Sequence, residues 1–124
     1  MEKRLFDEVS LKLGNTFKNR LFMAPMTTQS AFYDGGITQQ IIDYYSFRSG
    51  QAAAIIVESC FIEDKGRGFP GAIGIDNDKK ISGLTQLAQS IKEKGSKAIV
   101  QIYHAGRMAW PEYNGEQFQC LPVR

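Results

Sequence analysis

Apolar and polar positions change their period several times along the chain, and each change marks an element. Residues 16–23 (TFKNRLFM) read as a strand that runs into the turn Ala24, Pro25, Met26, Thr27. Asp34, Gly35 and Gly36 break the chain, and Thr38 is placed to cap a helix over residues 39–49, where Ile41, Ile42 and Tyr45 share a face and Gly50 stands just past the end. Residues 52–59 (AAAIIVES) are apolar without interruption until Glu58, the pattern of a strand covered on both faces. A loop holding Gly66, Gly68, Gly71 and Gly74 follows. Asn77 or Asp78 then opens a second helix whose Ile81, Leu84, Leu87, Ala88 and Ile91 keep helical spacing. Gly95 ends it, and Lys97–Tyr103 (KAIVQIY) is a third strand.

The order is therefore β, α, β, α, β. Strand centres near Phe22, Ile56 and Val100 lie 34 and 44 residues apart, room for right-handed crossovers through a helix, so the strands are parallel. A doubly wound sheet and a (β/α)₈ barrel both fit this order. The absence of GxGxxG after the first strand, where proline and methionine stand instead, counts against the first. Ahead of these elements, the alternation from Val9 to Leu13, then Gly14 and Asn15, then Thr16 and Phe17, predicts a short hairpin that could cover the bottom of a barrel. The expected organisation is a hairpin over residues 1–17, three βα strands over 18–110, and a loop over 111–124.

Composition narrows the class. With 124 residues, 43% hydrophobic and 23% charged, the chain has the make-up of one folded domain. Its net charge of +2 is scattered in mixed pairs, such as Glu2 with Lys3 and Lys92 with Glu93, so neither a nucleic-acid stripe nor a polybasic membrane patch is present. The longest apolar run, residues 52–57, is far short of the roughly 20 residues that span a bilayer. The first residues lack the apolar stretch of a secretory signal, and a cytoplasmic protein is expected. Cys60 and Cys120 stand far apart and His104 is the sole histidine, so a zinc site lacks ligands and two free thiols are expected.

Ligands of parallel α/β folds bind at the carboxyl ends of the strands, where loops vary on a rigid sheet. Here those ends carry Ala24, Pro25, Met26 and Thr27, then Glu58, Ser59 and Cys60, then Gln101 to Arg107. Pro25 stiffens its backbone and lets neighbouring amides be aimed. Gln101 interrupts an apolar strand, and its amide there needs partners on both its donor and acceptor sides, either neighbouring backbone, a polar network or a heterocycle. His104, followed by Ala105, Gly106 and Arg107, places an imidazole and a guanidinium beyond a strand end. Glu58 is either a buried carboxylate with a raised pKa or the partner of a Lys or Arg, and pairing is the favoured reading.

The segments NRLFMAPMTT (residues 19–28), IIVES (55–59) and QIYHAGR (101–107) resemble the N-terminal signatures of the Old Yellow Enzyme-like flavin oxidoreductases, the ene-reductase and dienoyl-reductase group. Three motifs in the right order, over residues 5–110, make the resemblance specific. It implies the N-terminal part of a TIM barrel that binds FMN. It places the backbone of Ala24, Pro25 and Met26 against the flavin, the Thr27 hydroxyl near the flavin O4, the backbone of Ser59 at the flavin edge, and the Gln101 amide on the pyrimidine ring. His104 and Arg107 enter as active-site loop candidates. The implied reaction passes hydride from NADH or NADPH through FMN to an activated alkene, an enone or enoyl substrate.

A complete (β/α)₈ barrel needs about 250 residues, so five βα units are missing from this reading, and with them the substrate-carbonyl pair, the proton donor and the phosphate site. The expectation is an incomplete chain that binds FMN weakly and does not turn over. A second reading is a non-catalytic half-barrel that acts as a homo-oligomer or interaction module through its open sheet edges. A complete small α/β binding protein would leave the three motifs unexplained.

Overall fold

A computed structural model of the chain describes residues 4–115. Two short strands come first: β1 (Val9–Ser10) pairs antiparallel with β2 (Thr16–Phe17), with Val9 opposite Phe17 and Ser10 opposite Thr16. The reversal places Leu13 and Gly14 at positive φ, and the predicted hairpin is present.

The strand expected over residues 16–23 is divided. Thr16 and Phe17 belong to the hairpin, and only β3 (Phe22–Met23) joins the main sheet. Asn19 makes the break. Its Oδ1 accepts from the N–H of Leu21 at 3.0 Å and of Ala53 at 3.1 Å, while its Nδ2 donates to the Gln51 carbonyl at 2.8 Å. A side chain that bonds its own backbone two residues on competes with the ladder and turns the chain.

Helix α1 (Gln39–Arg48) begins where the capping signal put it, with the Thr38 hydroxyl accepting from the N–H of Ile41. Strand β4 (Ala54–Phe61) starts two residues later and ends two residues later than its apolar run suggested, so Glu58, Ser59 and Cys60 lie within the strand and not beyond it. The glycine-rich segment that follows was expected to be loop alone. It contributes a further strand, β5 (Ile73–Gly74), parallel to the end of β4. Gly71, just before it, has φ +70°, and a Cβ there would lie 2.3 Å from the Gln29 carbonyl oxygen, which restricts the position to glycine.

Asn77 caps a short 3₁₀ turn that leads into α2 (Ile81–Glu93), and Gly95, at φ +84°, follows its end. Strand β6 (Lys97–Tyr103) has its predicted bounds. The chain from Pro111, expected as loop, instead forms one helical turn, α3 (Pro111–Asn114), with proline in the first turn and Gly115 in the left-handed region as its cap.

The main sheet is parallel throughout, with β4 central between β3 and β6. Both long helices pack into one core with it, formed by Ile41, Tyr45, Ile55, Val57, Cys60, Ile73, Leu87 and Ile91. The spacing along β4 is informative: core positions 55 and 57 are two apart, but 57 and 60 are three apart. A β-bulge is responsible. Val57 pairs with Val100 and Ser59 with Gln101, leaving Glu58 as an extra residue. In β6, Ile99, Val100 and Ile102 are exposed.

Candidate functional site

The carboxyl ends of β3, β4 and β6 form the site, and the register fixes its centre. Ser59 lies directly opposite Gln101, and residues aligned across a parallel pair project to the same face. Ser59 is buried and Gln101 is exposed. Of the partners open to the Gln101 amide, neighbouring backbone and a polar network within the described residues are not the ones it takes. Among the described residues it makes no hydrogen bond, and it is open to a ligand.

Ala24, Met26 and Thr27 are exposed and Pro25 is half-buried, in the segment that leaves β3. Thr27 stands one strand away from Gln101, across β4. It lines a recess of about 260 Å³ with Thr28, Ser30, Gln40 and Tyr44. The structure thus brings Ser59 and Gln101 side by side, while Thr27 lies in the segment after β3, across β4 from Gln101 and beside α1.

His104 and Arg107 lie beyond β6. His104 Nε2 is 2.7 Å from Glu63 Oε1, and its Nδ1 accepts from the Gly106 N–H at 2.9 Å. The Gly106 contact assigns the proton to Nε2, so both ring nitrogens are engaged within the chain. The glycine loop makes room for this ring: a Cβ on Gly66 would lie 2.3 Å from His104 Cδ2. Arg107 is exposed, and among the described residues it makes no ion pair.

Under this surface lies a buried polar cluster that the sequence indicated only in part. Glu58 is 0% exposed and has no basic partner among the described residues, where hydroxyls and an amide take the place of the favoured Lys or Arg. Its Oε2 accepts from the Thr28 N–H at 3.0 Å and the Tyr45 hydroxyl at 3.1 Å, and its Oε1 accepts from the Thr28 hydroxyl at 3.2 Å. The Tyr45 oxygen in turn accepts from the Glu58 N–H at 2.8 Å. The side chain enters the layer between sheet and helix, where hydroxyls and an amide are the donors available.

Burial raises the Glu58 carboxyl above the usual carboxylate range, against the opposing effect of the Thr28 and Tyr45 hydrogen bonds. Burial also raises the Tyr45 phenol, and burial followed by the charge of Glu58 pushes the Cys60 thiol up to about 12. Cys60 is a free, buried thiol, while Cys120 lies outside the described residues. A carboxyl raised on folding contributes stability that is present below its unfolded value near 4.5 and is lost as pH rises through the folded value. Thermal melts from pH 4 to 8 should show the chain losing ground to Glu58→Gln as pH increases, whereas Asp76, whose carboxyl the Lys80 and Asn77 hydrogen bonds lower despite its burial, destabilises both proteins alike only on acidification.

A second cluster, absent from the sequence reading, lies where the β4–α2 connection packs on α3. Arg67, 3% exposed, stacks between Phe61 and Tyr113, its guanidinium carbon 4.4 and 4.2 Å from the ring centroids. It donates to the Tyr33 carbonyl and to Asp64. Lys80, paired with Asp76, lies over the Phe61 ring as well. Tyr45 and Arg67 could have been suspected from type alone, since a phenol on an apolar helix face and an arginine in a glycine-rich loop both require partners.

The donor set fits a flavin: a primary amide on β6, and a hydroxyl and a rigid proline-bearing backbone in the segment after β3, on the two sides of β4, with Met26 as an apolar surface. No helix among the described residues is long and apolar enough to cross a membrane.

Comparison with known proteins points the same way. The chain is 65% identical over 112 residues to the NADH:acrylate oxidoreductase of Vibrio harveyi, covering 90% of this chain and 11% of that protein. It is 53% identical over 120 residues to the NADH:fumarate oxidoreductase of Klebsiella pneumoniae, covering 97% and 13%. The structure of the Old Yellow Enzyme homologue from Zymomonas mobilis superimposes with a TM-score of 0.83 at 32% identity, over 92% of this chain and 32% of that one. The chain thus spans only a small part of the relatives it matches, and its parallel sheet with helices is the N-terminal part of a TIM barrel. Residues 4–122 match the model of the NADH:flavin oxidoreductase / NADH oxidase family, and the chain belongs to that family.

Proposed function

We propose that the chain forms the first βα units of an FMN-binding barrel in an oxidoreductase that takes hydride from NADH or NADPH and delivers it to an activated alkene of the enone or enoyl class. The observation that carries this reading is the pairing of Ser59 with Gln101 at the open end of the parallel sheet, next to the strand that delivers Pro25 and Thr27. When bound, FMN supplies the relay of hydride between the nicotinamide and the alkene.

The chain's own residues bind and orient. The Gln101 amide and the Thr27 hydroxyl are hydrogen-bond donors for the polar edge of the ring system, and donors there favour its reduced, more negative form. Pro25 holds the backbone of Ala24 and Met26 rigid against the ring, and Ser59 offers its main chain at the edge. Arg107 and His104 occupy the loop beyond β6. Arg107, which makes no ion pair among the described residues, offers its charge to an anionic acceptor, in keeping with the unsaturated acids named for the two relatives, while His104 holds the loop through Glu63.

Titration of the chain with FMN, followed by quenching of flavin fluorescence, tests the reading. Saturable binding is expected, weakened about ten-fold in Gln101→Ala by the loss of two neutral hydrogen bonds. A chain that binds no FMN would overturn it. The exposed apolar edge of β6 supports a second reading, a half-barrel that self-associates without catalysis, and a colourless oligomer in size-exclusion chromatography would favour it.

A further inference from the structure

Glu58 is buried, carries the only carboxylate in the core of β4, and sits at the bulge where the strand holds a residue beyond what its ladder needs. A bulge next to a functional surface commonly re-aims one side chain, and here the side chain reaches the segment leaving β3. Its two oxygens hold Thr28 twice, by the main-chain N–H and by the hydroxyl. Thr28 directly follows Thr27, so the position of the Thr27 hydroxyl depends on where Thr28 is held. The Ser30 hydroxyl donates to the Thr28 carbonyl, and the Thr38 hydroxyl donates to the Ser30 carbonyl, which carries the same anchoring on to the cap of α1.

We propose that Glu58 is a positioning residue: it fixes residues 25–28 to the central strand through Thr28, and so sets where Thr27 and the adjoining backbone meet the flavin. The inference rests on the flavin-binding reading above. It assigns Glu58 no contact with substrate or cofactor. Tyr45 completes the arrangement, since its hydroxyl is held by the Glu58 N–H and donates back to the carboxylate, locking the Glu58 side chain from the helix layer.

The donor pattern gives a specific expectation for the conservative replacement. In Glu58→Gln, the amide oxygen can accept from the Thr28 N–H and the Tyr45 hydroxyl, and the amide N–H₂ can donate to the Thr28 oxygen, whose hydroxyl can turn. Glutamine therefore keeps Thr28 in place without the charge. Glu58→Met fills similar volume and accepts from neither group.

The test is amide hydrogen exchange of residues 24–30 in the 124-residue chain without ligand, together with FMN titration of the same proteins. Glu58→Met should exchange about ten-fold faster in this segment and bind FMN about ten-fold more weakly, while Glu58→Gln retains both properties. Leu87→Ala, which removes a core side chain of α2 that does not touch Thr28, controls for general destabilisation and should leave the segment and the affinity unchanged relative to its own stability. Should Glu58→Met not fold, Thr28→Val removes the hydroxyl tie alone and should show the same pattern at about three-fold. Unchanged exchange in the variant lacking the acceptor, or equal loss in the glutamine variant, would overturn the inference whatever the chain does with FMN. Exchange that depends on Glu58 in a chain that binds no FMN would uphold the anchoring and overturn the flavin reading alone.

Discussion

Replacing Arg67 by alanine should lower the stability of the chain by about 4 kcal/mol, the sum of a large buried side chain lost from a packed site and two hydrogen bonds to a charged group broken. The guanidinium lies against the rings of both Phe61 and Tyr113 while its two terminal nitrogens reach the Tyr33 carbonyl and Asp64. It therefore joins the end of β4, the loop before α1 and the turn α3 in one contact. Asp64 is largely solvated, so its charge is not stranded when the arginine is removed, and the loss falls on packing and on the Tyr33 carbonyl. Lysine should recover less than half of the effect, because a single ammonium nitrogen has no planar face to stack between two rings and lacks the fork whose separate nitrogens reach the Tyr33 carbonyl and Asp64. Denaturant unfolding of the three proteins, compared at equal slope, gives the values directly. The loss is a large share of the total stability of a small domain, so the alanine variant should be partly unfolded at 37 °C.

Tyr45→Phe should cost about 3 kcal/mol, although it removes a single oxygen and leaves the ring in the core. That oxygen accepts from the Glu58 N–H and donates to the Glu58 carboxylate, and both groups are buried. Its loss leaves an amide and one carboxylate bond unsatisfied in a place water does not reach. The phenol is raised well above its ordinary value by burial, so it stays a donor across the accessible pH range and the effect should not vary through its titration. Combined with Glu58→Met the two losses should not add, since both act on one network, and a double-mutant cycle by thermal unfolding measures the coupling.

Much of the fold was legible because helices α1 and α2 and strand β6 carry strong periods and recognisable ends. Thr38 caps α1 through its hydroxyl, and the 97–103 run is a strand over its whole length. The break at Asn19 was not legible, because a single asparagine within an apolar stretch gives no hint that its side chain will bond three backbone groups. Strand β5 was hidden by glycines, which weaken the local pattern where close packing requires them.

The site was legible as a set of strand ends and less so as contacts. Parallel topology was sufficient to anticipate that residues 59 and 101 lie near each other. For Gln101 the apolar strand left neighbouring backbone, a polar network and a heterocycle all open as partners, because the residues around an amide are set by chain segments far from it in sequence. Glu58 posed a choice between two physical outcomes, and only the location of Thr28 and Tyr45, 30 and 13 residues distant, decided it.

The bulge in β4 has an unusual corollary for chain length. Removing one residue from the middle of a buried strand ordinarily swaps every later side chain to the opposite surface. Here Val57 already meets Val100 and Ser59 already meets Gln101, so a chain shortened at position 58 could close the gap without a change of phase. Excision at this point would thus keep the pairing phase of β4 while deleting the group that holds Thr28 and Tyr45, which separates the strand's ladder from the anchoring its extra residue supplies.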